Sequence, residues 1–423
     1  MLQQNQRKAL FLSSLGGILE FYDFIIYALL ASYISKLFFP TGSAITSLLI
    51  AFSAYAVGYL ARPLGGIIFG HFGDKYGRKK TFTISILIMA LSTFIIGILP
   101  TYNHIGFIAP ILLVLCRVVQ GISVGGEIPG AITYVGEVAP EKKGFVTGVI
   151  FCFLIAGMAL GFIVESLLLD GFDKQQMFLY GWRIAFILGG IFGIIAYFLR
   201  RQLMDIKGFN PFIEDEFSLP VTKMLLTHSW NFIYACIIVS FGALIFVTLF
   251  LLLPSYFSTV LKLHLKDFTW INSLGVIIIS IFCVVVGFFA DKINRSFILL
   301  VSIIATCAFS FFIYKTYVYN QNYYFLAIFI SAILAALCWG NIPAILIDLF
   351  KQDIRYTGIG FSYNIGFAVF GGLTPMIVIG AIKFSGDKVA PAYILTIGAI
   401  VTLIAMIINI FIQKKSPQQE LAK

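Results

Sequence analysis

The sequence predicts an all-α membrane protein of twelve transmembrane helices, arranged as two six-helix pseudo-symmetric bundles. Three observations predict it. First, 60% of the 423 residues are hydrophobic, only 11% are charged, and mean hydropathy is +0.98. Soluble domains run at roughly 45–50% apolar and about 25% charged, so this chain cannot cover a water-facing surface. Second, the apolar residues fall in runs of about 20 or more, the length a helix needs to cross the hydrocarbon core. An outer-membrane barrel would show short alternating segments instead. Third, the two halves of the chain repeat each other.

In chain order the runs have approximate limits 11–38, 46–70, 80–100, 106–136, 145–169 and 180–200, then 229–257, 268–290, 296–319, 323–349, 357–382 and 389–412. The first follows a short polar N-terminus and lacks a small-residue cleavage site, so it reads as a permanent helix and not a signal peptide. The runs divide the chain into an N-terminal bundle (1–200), a linker (201–228) with acidic Glu214, Asp215 and Glu216, and a C-terminal bundle (229–423). An even number of spans puts both termini on one side. Nineteen of the 29 Lys and Arg fall on the side shared with the N-terminus, eight on the other, and Arg62 and Arg117 within spans. The positive-inside rule therefore places both termini in the cytoplasm of a bacterial inner membrane.

The repeat is specific. Gly70, Asp74, Lys75 and Arg78 recur at one offset as Gly287, Asp291, Lys292 and Arg295. A second set, Gly126, Pro129, Gly144 and Gly157, matches Gly340, Pro343, Gly358 and Gly371. One glycine match is chance; eight at nearly one offset indicate duplicated halves. Parallel repeats of this kind suit a rocking-bundle transporter with its site between the halves.

Other classes fit poorly. The net charge of +10 is spread in short clusters between apolar runs, not along one face, which excludes nucleic-acid binding. The six cysteines lie inside apolar runs without a C-x-x-C pair, so neither a disulfide framework nor a metal site is expected. Four histidines fall in no catalytic spacing, and no soluble stretch could form a sensor's signalling domain. Neither an enzyme nor a cofactor is expected. The expected partners are a small-molecule substrate, protons and the lipid bilayer, around a monomer.

The segment Arg62-Pro-Leu-Gly-Gly-Ile-Ile-Phe-Gly70-His-Phe-Gly-Asp74-Lys-Tyr-Gly-Arg78-Lys-Lys80 ends the second span and leads into the third. It resembles the signature loop of the major facilitator superfamily, G-x-x-x-D-x-x-G-R-[RK]. The resemblance implies that Asp74 sits at a helix end, bonds to basic or N-terminal groups, and latches one side of the transporter shut. Arg62, Asp74, Arg78, Asp291 and Arg295 are the gating candidates. The plainer reading, that the basic residues only fix topology, leaves the Gly and Asp spacing unexplained.

Several stretches are similar to the superfamily's metabolite:proton symporter branch, which includes oxoglutarate, citrate, shikimate and proline or betaine carriers. They are Gly16-Gly-Ile-Leu-Glu20-Phe-Tyr-Asp23-Phe-Ile-Ile-Tyr27, Arg62-Pro-Leu-Gly-Gly66, Arg117-Val-Val-Gln-Gly121-Ile-Ser-Val-Gly-Gly-Glu127, Trp182-Arg-Ile, and Arg355-Tyr-Thr-Gly358 through Tyr363-Asn364 to Pro375. Phe21 and Tyr22 depart from the branch's usual Trp-Phe.

The charges inside the spans carry the mechanism. Each costs about 2.5–3.5 kcal/mol or more at a helix centre, so such residues line cavities and find partners. Glu20, Asp23 and Tyr27 share one face of the first helix, and Arg117, Gln120 and Glu127 one face of the fourth. At about 1.5 Å per residue, Asp23 and Arg117 reach the same depth, whereas Glu127 lies roughly 15 Å further along its helix. Arg62 falls nearer the inner side, so Glu20, Arg62 and Glu127 are expected to form a separate cluster.

Asp23 and Arg117 also look like the proton-switch pair of sugar-porter facilitators. Pairing stabilises the carboxylate, and drawing the arginine away favours the protonated acid. The plainer alternative is a permanent salt bridge that orients two helices. Asp23, Arg117, Glu20 and Glu127 are the proton-coupling candidates. Arg117 is also the expected carboxylate anchor, with Tyr27 and Gln120 beside it. In the second half few charges lie mid-span, so Trp339, Asn341, Tyr363 and Asn364 are the pocket candidates, although each taken singly is more readily a packing residue or a helix–helix hydrogen bond than a substrate contact. The Gly121-x-x-x-Gly125, Gly66-x-x-x-Gly70 and Gly157-x-x-x-Gly161 pairs read as close helix packing.

The expected function is proton-coupled symport of a small carboxylate-bearing metabolite by alternating access. One alternative is a compatible-solute or amino-acid symporter of the proline/betaine kind, whose osmosensing members carry a long C-terminal coiled coil where only a short tail follows here. Another is an exporter of a polar metabolite such as a siderophore, against which stands the lack of a G-x-x-x-G-P motif in the fifth span.

Overall fold

The computed structural model describes residues 2–41, 43–203, 205, 219–262 and 266–420, so much of the expected 201–228 linker, with Glu214, Asp215 and Glu216, lies outside the described residues. Twelve principal helices follow one another in chain order. They begin with α1 (Gln4–Leu29), α2 (Ala44–Tyr76), α3 (Arg78–Ile98), α4 (Ile108–Val138), α5 (Lys143–Gly171) and α6 (Trp182–Arg200). The second set is α7 (Ser229–Phe246), α8 (Lys266–Ala290), α9 (Arg295–Tyr319), α10 (Tyr324–Trp339), α11 (Arg355–Gly366) and α12 (Ala390–Glu420). Among the described residues eleven helices are long and apolar enough to cross a membrane. The twelfth, α2, is 33 residues long with Pro63 inside it.

The helices are less continuous than the apolar runs. The run 11–38 breaks at Leu30 and restarts as the short helix Ala31–Phe38. The run 323–349 breaks at Gly340 and Asn341 and resumes as Ile342–Leu349, with Pro343 in its first turn, where a missing N–H costs nothing. The runs 229–257 and 357–382 widen into π turns at Val247–Leu251 and Phe367–Gly371, the second continuing as Gly372–Ser385. Hydropathy does not register a shift of the hydrogen-bond ladder within an apolar run. Such turns are rare and often mark functional positions.

The described residues form two compact units. Unit 1 comprises Met1–Pro140, Val149–Thr222 and Lys351–Asn364, and unit 2 comprises Glu141–Gly148, Lys223–Phe350 and Ile365–Lys423. Unit 2 takes the start of α5, and unit 1 takes all of α11 but its last two residues.

In unit 1 an apolar core gathers Tyr22, Ile26, Tyr27, Leu113, Trp182 and Phe186. Here α2 and α4 approach until their backbones touch. A Cβ on Gly121 would strike the carbonyl of Gly58, and one on Gly125 the carbonyl of Arg62. Only glycine permits this approach, which brings Arg62 and Arg117 inward on neighbouring helices. In unit 2, Val286, Ala290 and Ile298 pack together. Large apolar side chains such as Leu60, Phe107, Met376 and Phe384 are exposed, the arrangement of a protein solvated by lipid.

Candidate functional site

Three side chains from two helices of unit 1 converge on Asp23 of α1. Arg117 and Gln120 stand one turn apart on α4, and Thr93 comes from α3. The closest approach of the Arg117 guanidinium to the Asp23 carboxylate is 3.9 Å, too long for a hydrogen bond. Arg117 Nη1 donates to Gln120 Oε1 at 2.9 Å, and Gln120 Nε2 donates to Asp23 Oδ2 at 2.8 Å. The Thr93 hydroxyl donates to Asp23 Oδ1 at 2.9 Å. Asp23, Arg117 and Gln120 are all buried. The Tyr27 hydroxyl is committed to the carbonyl of Ala51, so Tyr27 offers Arg117 its ring face, 4.5 Å from the guanidinium carbon. Tyr55 flanks the same guanidinium at 5.3 Å. The Nε of Arg117 is buried without a hydrogen-bond partner. A charged donor left open in this way is ready to receive an anionic group.

Further ion pairs lie in unit 1. Arg62 Nη2 meets Glu20 Oε1 at 2.8 Å, with its guanidinium 5.3 Å from the Tyr59 ring. Glu127 pairs with Arg200 at 2.5 Å and accepts from Ser85 Oγ at 2.8 Å. Arg200 also donates to the carbonyls of Leu12, Ser13 and Phe82, which ties α1, α3, α4 and α6 together. Buried charges persist only when paired, and these are, although Glu20 Oε2 is buried without a hydrogen-bond partner.

The gating candidates stand at helix ends. In unit 1, Asp74 accepts the backbone N–H groups of Tyr356 at 3.1 Å and Thr357 at 2.8 Å, in the first turn of α11. Arg78 bonds Asp74 and the carbonyl of Gln352, and meets Glu137 at 3.3 Å, while Arg355 meets the other Glu137 oxygen at 2.7 Å. In unit 2, Asp291 accepts the N–H groups of Gly144 at 2.7 Å and Phe145 at 2.8 Å, in the first turn of α5. Arg295 pairs with Asp291 at 3.3 Å and with Asp348, which also meets Lys143 at 2.7 Å. These bonds explain why the starts of α5 and α11 group as they do.

The second-half candidates are spread more widely. Asn341 donates to the carbonyl of Arg295 at 2.9 Å, and Asn364 to those of Gly125 at 2.7 Å and Gly360 at 2.6 Å. The Asn341–Arg295 and Asn364–Gly125 bonds hold one helix against another, while the Asn364–Gly360 bond lies within α11. Trp339 packs on Phe367 with ring centroids 5.9 Å apart, and Tyr363 is buried in unit 1. Among the described residues, no group of three or more His, Cys, Asp or Glu could hold a metal ion.

Sequence reading missed Thr93, Tyr55, Ser85 and Arg200, whose residue types and spacing are unremarkable. It also missed Glu137, Asp348, Lys143 and Arg355, which pair with one another or with the gating candidates. For these a signal existed: Glu137 and Asp348, and Lys143 and Arg355, occupy near-equivalent places in the repeat.

Apolar spans that enclose paired charges, with aspartates clasping helix starts, define a membrane transporter rather than an enzyme. The chain belongs to the Major Facilitator Superfamily, whose sequence profile matches residues 13–375. It is 33% identical over 415 residues to the proline/betaine transporter of Salmonella typhimurium, covering 94% of this chain and 82% of that one. It is 32% identical over 415 residues to the glycine betaine/proline/ectoine/pipecolic acid transporter OusA of Dickeya dadantii, with the same coverage. The solved proton:xylose symporter XylE shares the fold, with a TM-score of 0.74 at 15% identity over 95% of this chain and 94% of that one.

Proposed function

We propose that the protein is a proton-coupled symporter of a small zwitterion or other carboxylate-bearing solute, with Arg117 as the carboxylate anchor and Asp23 as the proton carrier. The observation that carries this reading is the Arg117 guanidinium, buried, set against the stacked rings of Tyr27 and Tyr55, and joined to Asp23 through one amide. A substrate carboxylate competes with Asp23 for this cation. When Arg117 turns to the substrate, Asp23 loses its countercharge and takes a proton. The proline/betaine relatives support a zwitterionic substrate, and the fold shared with XylE supports proton coupling. Tyr27 and Gln120 flank the anchor, and Trp339 and Tyr363 are proposed as pocket walls. Glu20 and Glu127, held in their own ion pairs, are proposed as secondary charges.

The halves 1–200 and 229–423 act as the two moving bodies, with Arg62, Asp74, Arg78, Asp291 and Arg295 serving closure. The proposed working unit is a monomer. It sits in a bacterial inner membrane with both termini in the cytoplasm, as the charge distribution favours. Uptake of radiolabelled glycine betaine, proline and organic acids into proteoliposomes, with and without an imposed pH gradient, tests the function. Accumulation that ignores the gradient would overturn it. Labelling of single cysteines placed at 219–228 from outside intact cells tests the topology and should fail.

A further inference from the structure

The charge pair around Asp23 is not in contact; a carboxamide stands between its members. Gln120 Oε1 accepts from Arg117 Nη1 at 2.9 Å, and Gln120 Nε2 donates to Asp23 Oδ2 and to Thr93 Oγ1, each at 2.8 Å. The direct approach is 3.9 Å. The charges dictate which way the amide faces, because a guanidinium only donates and an ionised carboxylate only accepts. Turned over, the amide would set its NH₂ against Arg117 and its oxygen against Asp23. For Arg117, Gln120 Oε1 is the one hydrogen-bond acceptor among the described residues.

We infer that Gln120 is the positioning residue that couples the proton to the substrate: its amide holds Arg117 in place while Asp23 is ionised and releases it when Asp23 is protonated. The inference rests on the symport reading above. With Asp23 ionised, the carboxylate polarises the amide and strengthens its acceptance from Arg117. A proton on Oδ2 would face the Nε2 donor, so the amide must turn, and its NH₂ then opposes the guanidinium. A proton on Oδ1 is accommodated differently. Thr93 accepts it and redirects its own hydroxyl hydrogen to the carbonyl of Met89, 2.9 Å away. The amide then stays in place, but its partner is neutral and the polarisation is lost. Either way Arg117 is held less firmly and turns to a substrate carboxylate. The proton is taken from water on one side and returned to water on the other, and only an O–H bond forms and breaks.

The other charged and titratable groups nearby are differently engaged. Glu20 on α1 is paired with Arg62 of α2, and Glu127 on α4 with Arg200 of α6. Tyr22 donates to the carbonyl of Ala185, and Tyr27 to that of Ala51. Tyr55 of α2 faces Arg117 with its ring, and Tyr59 faces Arg62. The Gln120 amide is the hydrogen-bonded route from Asp23 to Arg117.

The test measures proton uptake per substrate bound, in lightly buffered purified protein, with glycine betaine and proline as probes. Wild-type protein comes first: binding without proton uptake overturns the symport reading, and this inference with it. Given wild-type uptake, two variants decide about Gln120. Gln120→Met keeps the length and removes both hydrogen-bonding ends. Its proton uptake per bound substrate should fall below the wild-type value, and by a larger factor than its affinity falls. Gln120→Glu keeps the acceptor for Arg117 but replaces the donor to Asp23 with a second carboxylate. Two acids sharing one guanidinium retain a proton between them, so uptake per substrate should again drop. Wild-type uptake in either variant that folds overturns the inference. Loss of substrate binding in both, to the extent seen for Arg117→Ala, also overturns it and makes Gln120 a substrate contact.

Discussion

Asp74 and Asp291 hold the same kind of partner: each carboxylate accepts two consecutive backbone N–H groups in the first turn of a helix. For Asp74 the helix is α11, and for Asp291 it is α5. Four unpaired N–H groups and the positive end of the dipole make a helix start a natural seat for a carboxylate. Each aspartate is flanked four residues later by an arginine that pairs with it, and that arginine reaches a second acid, Glu137 or Asp348. Each acid in turn meets a base on the other helix, Arg355 or Lys143. The duplicated sequence has duplicated a clasp.

Neutralising the clasps should slow cycling more than it weakens binding. Asn keeps one acceptor oxygen but opposes a backbone N–H with its own NH₂. Each lost charge-assisted bond is worth about 1.5–3 kcal/mol. Asp74→Asn and Asp291→Asn should therefore lower the saturated transport rate about tenfold, while affinity changes by less than about threefold. Initial-rate kinetics in proteoliposomes check this. Collapse of affinity at an unchanged rate would remove both residues from the gate.

The two clasps should not be equally sensitive. The Glu137 side chain is 3% exposed and meets two arginines, whereas that of Asp348 is 43% exposed. Exposed pairs are screened and worth about 0–1 kcal/mol, while breaking a buried pair costs about 3–5. Glu137→Gln should thus impair transport severely and Asp348→Asn mildly, with the Asp348 effect shrinking further at high salt. Transport rates at two ionic strengths would show it; equal defects would contradict the burial argument.

The Glu127–Arg200 pair should matter first for stability. Both side chains are at most 1% exposed, and Arg200 fastens four helices. Arg200→Leu leaves Glu127 charged and buried, at a cost of about 3–5 kcal/mol. Adding Glu127→Gln removes that charge and should recover much of the loss. Thermal unfolding in detergent measures both variants. If the double variant is no more stable than the single one, the uncompensated charge is not the cause.

Arg200 also shows what the sequence could and could not tell. It stands next to Arg201 at the end of an apolar run, and nothing local separates the two. Only the fold buries one and exposes the other. By contrast, Asp23, Arg117, Glu20 and Arg62 were legible because charge inside an apolar run is costly and helix periodicity gives both face and depth. Thr93 and Ser85 escaped notice, since a hydroxyl in a span can satisfy itself on its own helix and so leaves no pattern. The breaks at Leu30 and Gly340 escaped for a related reason: an apolar run does not record where its hydrogen bonds shift.

Arg117 can be tested by length and fork separately. Arg117→Ala should abolish binding of a carboxylate substrate. Arg117→Lys should keep some, because the charge remains but the planar fork and its stacking on Tyr27 and Tyr55 are lost. Equilibrium binding of glycine betaine or proline to purified variants decides. Affinity equal to wild type in the alanine variant would remove Arg117 from the site.

The last prediction separates Asp23 from its rival on the same helix. Glu20 lies one turn away but already meets Arg62 at 2.8 Å, a pair that needs no proton. Asp23 has no such contact: its nearest guanidinium is 3.9 Å away, and its bonds come from neutral donors, Gln120 and Thr93. Its charge is therefore the one more readily given up when Arg117 moves. Asn at this position mimics the protonated acid at similar volume. Asp23→Asn should bind substrate and exchange it across the membrane, yet fail to accumulate it under a pH gradient. Glu20→Gln should still accumulate it, at a rate reduced by the loss of a buried pair. Counterflow and gradient-driven uptake in the same proteoliposomes distinguish the two. If Asp23→Asn concentrates substrate and Glu20→Gln does not, the roles are exchanged. If both concentrate it, the proton is not carried on α1, and Glu127 becomes the next acid to neutralise.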